Sequence, residues 1–523
     1  MKIPALASLA LLVAPLLHAL DGHATDNPVI WADVPDPAII RVGDTYYMSS
    51  TTMHLSPGLP IMKSTDLLNW ELVSYAYDTL ASNDAFHLNR GNSAYGRGTW
   101  ASSLRFHDGL YYASTFSFTT GRTYIFTTPD IEEGSWTKHS FEPALHDHSL
   151  FFDDDGRVYM IPGGGDLRLV ELEPDFSGIK EGGINELIIP QAHAVAGDDI
   201  MLPAEGSQLR KVDGRYYLLN ITWPQDGMRT VIVHRADRLT GPWEGRVALQ
   251  DEGIAQGGLI DTPEGDWYAL LFGDRGAVGR IPYLVPVHWE DGWPVFGVDG
   301  KVPADLPLPA ENEGMDAIVG SDDFERAAGD AALPLFWQWN HNPVNSAWSV
   351  TARPGFLRLA TVGRASDLER ARNTLTQRTF GPTSSATTRL DVSALRPGDV
   401  AGLTAFAAPY GYIAVAAEED RKHLVMINAS GDAPVEVARV PLESDLVELR
   451  VDCDFRNQVD EATFFYRTEG GDWKPLGDTL HMRYTLEHFM GYRFGLFAFA
   501  TAQPGGHADF DYFQLGTELL GEE

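Results

Sequence analysis

The pattern of apolar and polar positions repeats five times between residues 27 and 300. Each copy consists of an apolar residue, a turn of the Asp-Gly type and a strand rich in aromatic residues. The turn glycines of the five copies are Gly43, Gly109, Gly156, Gly214 and Gly265. An Asp-Gly pair between alternating apolar residues is a strong hairpin signal, because both residues accept the positive φ of a tight turn. Each copy therefore predicts a β-hairpin.

The spacing of the hairpins predicts the architecture that they form. Successive turn glycines lie 47 to 66 residues apart, which is typical of four-stranded propeller blades rather than of helical repeats. We therefore predict a five-bladed β-propeller over residues 27–300. An all-β domain that reuses a common hairpin is the alternative interpretation.

A second all-β region follows the propeller. Residues 301–320 are rich in proline, which interrupts both periodicities and predicts a linker. Residues 321–517 contain segments that alternate apolar and polar residues, such as 355–360 and 446–451, and this pattern is typical of a β-sandwich. The predicted fold class is therefore all-β. We expect the sandwich to stabilise the propeller and to line its mouth, because its acidic residues lie in strands or turns without matching partners.

The N-terminal segment has the pattern of a secretory signal peptide over residues 1–24. Lys2 precedes an apolar run at 3–20, and small residues such as Ala24 suit cleavage after it. A membrane anchor is the rival interpretation, but the run is short for a membrane span and contains two prolines. We expect a secreted, extracellular protein.

The charge balance narrows the class of partner. The formal net charge is -34 at pH 7, which repels phosphate backbones and anionic membranes. Nucleic-acid and membrane partners are therefore not expected, and a neutral substrate fits better. The only cysteine, Cys453, leaves the chain without an intramolecular disulfide.

Three carboxylates stand in unusual local settings before predicted blade strands. Asp36 lies between two prolines, Asp147 lies between two histidines, and Glu205 begins a Glu-Gly-Ser sequence. Glycosidases use two carboxyl groups that flank the scissile bond, one to protonate the leaving oxygen and one to activate water or attack carbon. Taken singly, these residues fit a turn, a cap and a solvated charge. Together, at matching positions before successive repeats, they indicate a glycosidase site.

These positions, in this order, resemble glycoside hydrolase family 43. The Pro-Asp-Pro sequence around Asp36 is similar to the family's blade-one signature, and the Glu-Gly-Ser-Gln-Leu sequence from Glu205 is similar to its general-acid motif. The Gly-Arg pair at Arg280 is similar to the family's late arginine segment. Residues 324–513 resemble the concanavalin-like, jelly-roll sandwich appended to many members described as β-xylosidases or arabinofuranosidases.

The resemblance implies a role for each residue. Asp36 would be the general base that activates water, and Glu205 would be the general acid. Asp147 would orient the acid and favour its protonated form by like-charge repulsion. Arg280 would contact a sugar hydroxyl or help to hold the base.

Two departures from the family pattern affect the expected site. His148 follows Asp147 where the family often has proline, so His148 is a candidate to enter the site. Gln256 stands where many members carry a histidine that helps to bind an ion. The implied chemistry requires no cofactor, and no residue is assigned as a metal ligand. A structural calcium ion, to which Gln256 offers a carbonyl, is the one ion that the resemblance suggests.

Aromatic residues near the predicted mouth are candidates to stack on a sugar ring. Trp100 is the best placed, because it opens blade two as Asp36 opens blade one, and Trp223 is a further candidate. Most propeller aromatics are core residues, which is the alternative role for each. The expected substrate-binding set is Arg280, Trp100, Gln256, Trp31 and Phe116.

The resemblance therefore implies a secreted, inverting exo-glycosidase that releases xylose or arabinofuranose from xylan-type plant cell-wall polysaccharides and oligosaccharides. The second hypothesis is a carbohydrate-binding propeller with a lectin-like sandwich that has lost activity, and the three carboxylates argue against it. The third is a protein-interaction propeller, but Trp-Asp dipeptides are not repeated in the chain. The sequence does not distinguish the two pentoses.

Overall fold

The computed structural model describes residues 25–521 apart from 307, 309, 311 and 328. The predicted signal peptide at 1–24 lies outside these residues. Within them the chain is almost entirely β-structure, and no helix is long and apolar enough to cross a membrane. Five short 3₁₀ helices occur at Ala192–Ala196, Gly276–Val278, Asn345–Ala347, Leu368–Arg370 and Arg456–Gln458.

Five antiparallel sheets form the blades of a propeller, as the hairpin spacing predicts. Blade one consists of Ala38–Val42, Thr45–Ser49, Gly58–Ser64 and Glu71–Tyr77. Blade two consists of Ser103–His107, Leu110–Ser117, Arg122–Thr128 and Thr137–Phe141. Blade three consists of Ser149–Phe152, Val158–Ile161, Gly163–Gly164, Asp166–Leu172 and Asn185–Ile189. Blade four consists of Ile200–Val212, Arg215–Pro224, Thr230–Ala236 and Glu244–Leu249. Blade five consists of Ala255–Asp261, Trp267–Asp274, Arg280–Glu290 and Trp293–Phe296.

The first strand of each blade lies on the central axis. These five strands contact one another in a closed ring, in which Ala38–Val42 of blade one meets Ala255–Asp261 of blade five. Each strand runs toward its hairpin, and at Asp213 and Gly214 both turn residues have positive φ, as a tight hairpin turn requires. The residues that precede the first strands therefore gather at the opposite end of the channel, where the carboxylates are expected.

Two eight-stranded antiparallel sheets form the sandwich. One consists of Leu55–Ser56, Gln338–Asn340, Leu375–Arg378, Asp399–Phe406, Gly411–Ala417, Lys422–Asn428, Val435–Leu442 and Arg493–Ala500. The other consists of Trp348–Ser349, Leu357–Ala360, Thr383–Asp391, Leu446–Asp454, Glu461–Arg467, Lys474–Pro475, Leu480–His481 and His507–Gly516. The prediction of an all-β chain with a five-bladed propeller followed by a β-sandwich is confirmed.

The two domains share strands and core. Leu55–Ser56, from the loop between the second and third strands of blade one, pairs with Gln338–Asn340 at the edge of a sandwich sheet. The segment between the domains is also tied down, because the Leu72 amide of blade one donates to the Ala317 carbonyl at 3.2 Å. Thr25–Asp26 pairs with Asp305–Leu306 after blade five. The propeller and the sandwich therefore form one packed body.

A buried cluster of histidines lies where the domains meet. His54 of the propeller stacks 4.7 Å from His341 of the sandwich, and Tyr95 of the propeller stacks 4.1 Å from His488 of the sandwich, measured between ring centroids. Both ring nitrogens of His54 lack a hydrogen-bond partner among the described residues. Burial and the neighbouring histidines lower the pKa of His54 and His341 well below 6.5. Protonation of these rings would therefore destabilise the packed interface between the two domains.

This cluster predicts acid-dependent unfolding. Because His54 and His341 have folded-state pKa values below the unfolded value of 6.5, the unfolded chain binds more protons, and stability falls as pH drops below 6.5. Each histidine contributes a slope of about 1.4 kcal/mol per pH unit in that window. We expect the combined variant His54→Gln, His341→Asn to show a weaker pH dependence in denaturant unfolding, since asparagine tolerates the φ of 68° at position 341.

The exposed His288→Gln variant is the control and should keep the wild-type pH dependence. An unchanged slope in the double variant would contradict a role for the cluster.

Candidate active site

Asp36 is held by a buried ion pair with Arg280. Its Oδ1 accepts from Arg280 Nη1 at 2.8 Å, and its Oδ2 accepts from Thr51 Oγ1 at 2.5 Å. Both charged side chains are about 5% exposed or less. Burial alone would lower the pKa of Arg280, but the carboxylate of Asp36 and the neighbouring Tyr484 hold it above its ordinary value. This pairing fixes the Asp36 carboxyl group beside the Arg280 guanidinium.

A second carboxylate, Asp33, fixes the arginine from its backbone side. Asp33 Oδ1 accepts from the Arg280 amide at 2.7 Å, and its Oδ2 accepts from the Gly491 amide of the sandwich at 2.9 Å. The Asp33 carbonyl accepts from Nε of Arg378 at 2.9 Å. Asp33 therefore joins blade five, the segment before blade one and the sandwich at the edge of the site.

Asp147 and Glu205 lie beside each other at the tops of blades three and four. Asp147 Oδ2 accepts from the Gly206 amide at 3.1 Å, and the Asp147 carbonyl accepts from the Ser207 amide at 3.2 Å. Burial, together with the charges of Glu205 and Asp36, raises the pKa of Asp147 to about 7. Irregular strand pairing on both sides of Glu205 interrupts the alternation of its strand, which is how a β-bulge re-aims a side chain. The three predicted carboxylates are thus brought together.

His146, which the sequence analysis did not single out, is the partner of Glu205. Its Nε2 lies 3.0 Å from Glu205 Oε2, and its Nδ1 lies 3.9 Å from Asp147 Oδ1. Burial lowers the pKa of His146, but the hydrogen bond to Glu205 and the two carboxylate charges raise it to about 9. The imidazole is therefore a proton donor to Glu205 at neutral pH.

His148 does not enter the site, and that expectation is wrong. The ring is 2% exposed. Its Nδ1 lies 2.8 Å from the Leu145 carbonyl and its Nε2 lies 2.9 Å from Ser114 Oγ. Asp147 has a φ of 44°, so the chain turns between the two histidines and only the first faces Glu205.

The sandwich supplies two aromatic side chains to the mouth. The Phe489 ring centroid lies 4.5 Å from Cζ of Arg280, and the Tyr484 centroid lies 6.0 Å from it. Phe489 also packs 4.9 Å from the half-buried Trp100, measured between ring centroids. Trp100 therefore lies at the mouth with Arg280, as its position before blade two predicts. The sequence analysis missed Tyr484 and Phe489 because they are distant in the chain.

Two other aromatic residues that were predicted to bind substrate, Phe116 and Trp31, pack against protein side chains or backbone instead. Phe116 is 0% exposed, so its ring cannot stack on a sugar as predicted. It packs instead beneath the exposed Phe118, whose ring lies 6.0 Å from His146. Trp31 packs against Gly381 of the sandwich, and its carbonyl accepts from the Gly381 amide at 2.8 Å. The contacts of Trp31 are therefore interdomain packing and do not join it to the carboxylates.

Arg229 is a second arginine at the mouth that the sequence analysis did not identify. Its guanidinium lies 5.1 Å from the Trp223 ring and forms an ion pair with Asp274. Burial and the like charge of Arg280 lower the pKa of Arg229, while the charges of Asp36 and Glu205 oppose that change. Arg229 thus lies within electrostatic reach of both carboxylates, and Trp223 lies beside it.

Gln256 packs against the backbone that carries Glu205. A Cβ on Gly206 would lie 2.6 Å from the Gln256 side chain, so only glycine fits between them. Gln256 itself has a φ of 56°. Among the described residues, the one group of three possible metal ligands is His146, Asp147 and Glu205, which does not include Gln256. Calcium prefers six to eight oxygen ligands, of which the Gln256 side-chain carbonyl would supply one.

Comparison with known proteins identifies the family. Residues 25–294 match the model of the glycosyl hydrolases family 43, and residues 321–515 match the β-xylosidase C-terminal concanavalin A-like domain. The chain belongs to glycoside hydrolase family 43. The family 43 assignment confirms the predicted resemblance, the concanavalin-like nature of the sandwich and the prediction of a glycoside hydrolase.

Relatives and solved structures resemble this family 43 chain over most of its length. A β-xylosidase of Formosa agariphila is 28% identical, with 93% of this chain and 89% of that protein covered. A xylosidase/arabinosidase of Humicola insolens is 29% identical, with 93% and 96% covered. A solved structure described as a bifunctional GH43-CE protein of Bacteroides eggerthii is 57% identical, with a TM-score of 0.93. The match covers 95% of this chain and 64% of that protein's chain. This chain therefore spans less than two thirds of that structure's length.

The contact between Phe489 and Arg280 predicts that the sandwich contributes to substrate binding. We expect Phe489→Ala to lower kcat/KM on an aryl glycoside by about tenfold, mainly through KM, because a stacking aromatic face contributes about 0.5–1.5 kcal/mol. Leu486→Ala, on the same sandwich segment and 75% exposed, is the matched control and should leave both constants unchanged. Equal effects of the two substitutions would contradict the assignment of Phe489 to the site.

Proposed function

We propose that this family 43 enzyme is a secreted, inverting exo-glycosidase. Its substrates would be terminal pentose units, β-D-xylose and/or α-L-arabinofuranose, of xylan-type plant cell-wall polysaccharides and oligosaccharides. The observation that carries the proposal is the convergence of Asp36, Asp147 and Glu205 beside Arg280 at one end of the channel. The names of the Formosa agariphila and Humicola insolens relatives support the choice of xylose and arabinose.

Asp36 has the surroundings of a general base. Arg280 and Thr51 donate to its two oxygens and hold the carboxyl group in place. In the proposed reaction Asp36 takes a proton from water as the water oxygen attacks the anomeric carbon. Nε and Nη2 of Arg280 are buried, so in the proposed reaction the arginine acts by holding the base through Nη1.

We assign Glu205 as the general acid, which gives its proton to the glycosidic oxygen. His146, whose Nε2 lies 3.0 Å from Glu205 Oε2, positions the carboxyl group. Transfer of this proton to the glycosidic oxygen accompanies cleavage of the bond between that oxygen and the anomeric carbon. The attacking water loses a proton to Asp36, so the number of protons on the enzyme is the same after the reaction as before it. Asp147, with a pKa of about 7, positions the Glu205 backbone by accepting a hydrogen bond from the Gly206 amide.

The aromatic side chains from both domains favour exo action. Trp100 belongs to the propeller, whereas Tyr484 and Phe489 come from the sandwich, and all three lie beside the Arg280 end of the site. A site closed on one side by a second domain suits a chain end better than the middle of a polymer.

The pattern of residues 1–24 supports secretion. Family 43 enzymes are typically hydrolases that need no cofactor, so no step is assigned to a calcium ion.

The two catalytic assignments predict different responses to substitution. We expect Glu205→Gln to slow hydrolysis by about 10²–10⁴-fold, because acid assistance is lost. The loss should be larger for oligosaccharides than for activated aryl glycosides, whose leaving groups need less protonation. Asp36→Asn should harm both classes of substrate alike, since water activation is needed whichever group leaves. Steady-state rates on the two classes check this, and the reverse pattern would exchange the roles of Asp36 and Glu205.

The stereochemical outcome tests the assignment of Asp36 as a base. Inverting enzymes separate their catalytic carboxyls by about 6.5–9.5 Å to admit water, whereas retaining enzymes separate them by about 5–5.5 Å. We expect proton NMR to show a first-formed sugar with the anomeric configuration opposite to that of the substrate. Aryl xylosides and aryl arabinofuranosides, assayed side by side, identify the pentose. A product of retained configuration, or a glycosyl adduct on Asp36, would overturn the base assignment.

A further inference from the structure

The hairpin end of the central channel contains a cavity of about 300 Å³. It is lined by the first strands of all five blades, represented in order by Ile40, Arg105, Phe151, Arg210 and Leu259. Arg210 lies five residues beyond Glu205 on the same strand, which at the usual rise of a strand corresponds to roughly 16 Å. This cavity is therefore separate from the carboxylate site.

Arg105 carries a charge in this cavity without a carboxylate to balance it. Its guanidinium donates to the Leu104 carbonyl at 2.6 Å, to Ser149 Oγ at 2.7 Å and to the Leu209 carbonyl at 3.1 Å. All three acceptors are neutral. No described carboxylate lies within ion-pair distance of Arg105, although the chain has 73 acidic residues against 39 basic ones. The unpaired charge therefore does not follow from a shortage of carboxylates.

The neighbouring basic side chains already have carboxylate partners. Asp261 forms ion pairs with both Arg210 and Arg41, and Arg210 also donates to the Leu259 carbonyl at 3.3 Å. At the rim, Lys211 Nζ lies 2.8 Å from a carboxylate oxygen of Asp154. One carboxylate thus serves two arginines on one side of the cavity, and none serves Arg105. The balance of charge around the cavity is positive.

Arg105 is half-buried, and even partial burial of an uncompensated cation has a cost. An ionised side chain in a poorly solvated place requires a counter-charge, and arginine does not lose its proton under ordinary conditions. Burial and the like charge of Arg210 lower the pKa of Arg105 to about 9. Both effects disfavour the guanidinium cation, and the negative charge of an anion inside the cavity would offset them.

We propose that this cavity binds a small monovalent anion of the halide class between Arg105 and Arg210. The two guanidinium groups supply the charge, and the apolar side chains Ile40, Phe151 and Leu259 line the part between them. The polar residues Gln208, Lys211 and Asp154 complete the lining. Such a lining favours an ion that loses little hydration free energy on entry, which selects a halide over phosphate or sulfate. The bound anion neutralises Arg105 and stabilises the ring where all five blades meet.

Bromide provides a direct test on the wild-type protein. We expect crystals grown with bromide in place of chloride to show an anomalous peak in the cavity, within hydrogen-bond distance of the Arg105 guanidinium. Absence of a peak there would overturn the proposal. An oxyanion in the cavity of crystals grown with sulfate, combined with no bromide peak, would overturn the assignment to the halide class.

Thermal unfolding at constant ionic strength provides the second test, in sodium bromide against sodium gluconate. A ligand that binds only the folded state raises Tm with its concentration, and we expect Tm to be about 2–4 °C higher in bromide. Arg105→Met should abolish the difference between the salts. Arg168→Met, which removes an exposed arginine bonded to Asn185, is the control and should keep it. A variant at Arg105 that retains the wild-type difference would overturn the proposal, and if that variant does not fold, the bromide peak decides.

Discussion

The ion pair between Asp36 and Arg280 is the interaction on which the rest of this site depends. Asp36 precedes the first strand of blade one, and Arg280 begins the third strand of blade five, so the pair crosses the seam where the propeller ring closes. Removing one partner of a buried pair leaves an uncompensated charge, at a typical cost of about 3–5 kcal/mol. The same contact therefore joins blades one and five, positions the proposed base and holds the arginine against the aromatic side chains of the sandwich.

Backbone strain accompanies this arrangement. Asp36, Asp147 and Gln256 all have φ values between 44° and 56°, a left-handed conformation that costs about 1–2 kcal/mol for a residue other than glycine. The hydrogen bonds from Thr51 to Asp36 and from Gly206 to Asp147 offset part of that cost. The chain thus accepts strain at the tops of three blades, where it presents side chains to the channel, and keeps regular pairing below.

Sequence reasoning succeeded where the controlling interactions are local. The Asp-Gly turns determine their own hairpins, and the settings of Asp36, Asp147 and Glu205 before successive strands were sufficient to predict that they meet. It failed where the outcome depends on distant chain segments. Phe489 lies 209 residues after Arg280 and 389 residues after Trp100, the two propeller residues that it contacts.

The histidines beside Asp147 show a second limit. Residues two apart on a regular strand share a face, so alternation alone treats His146 and His148 alike. The left-handed turn at Asp147 separates them, and only His146 reaches Glu205. The burial of Phe116 was equally hidden, because it depends on Phe118, Trp100 and His146 packing around it.

The short strand Leu55–Ser56 has a consequence for inheritance. Because blade one contributes it to a sandwich sheet, neither domain can be exchanged for an unrelated one without leaving an unpaired edge on the other. Recombination that separated the propeller from the sandwich would therefore leave a strand without its partner on each side.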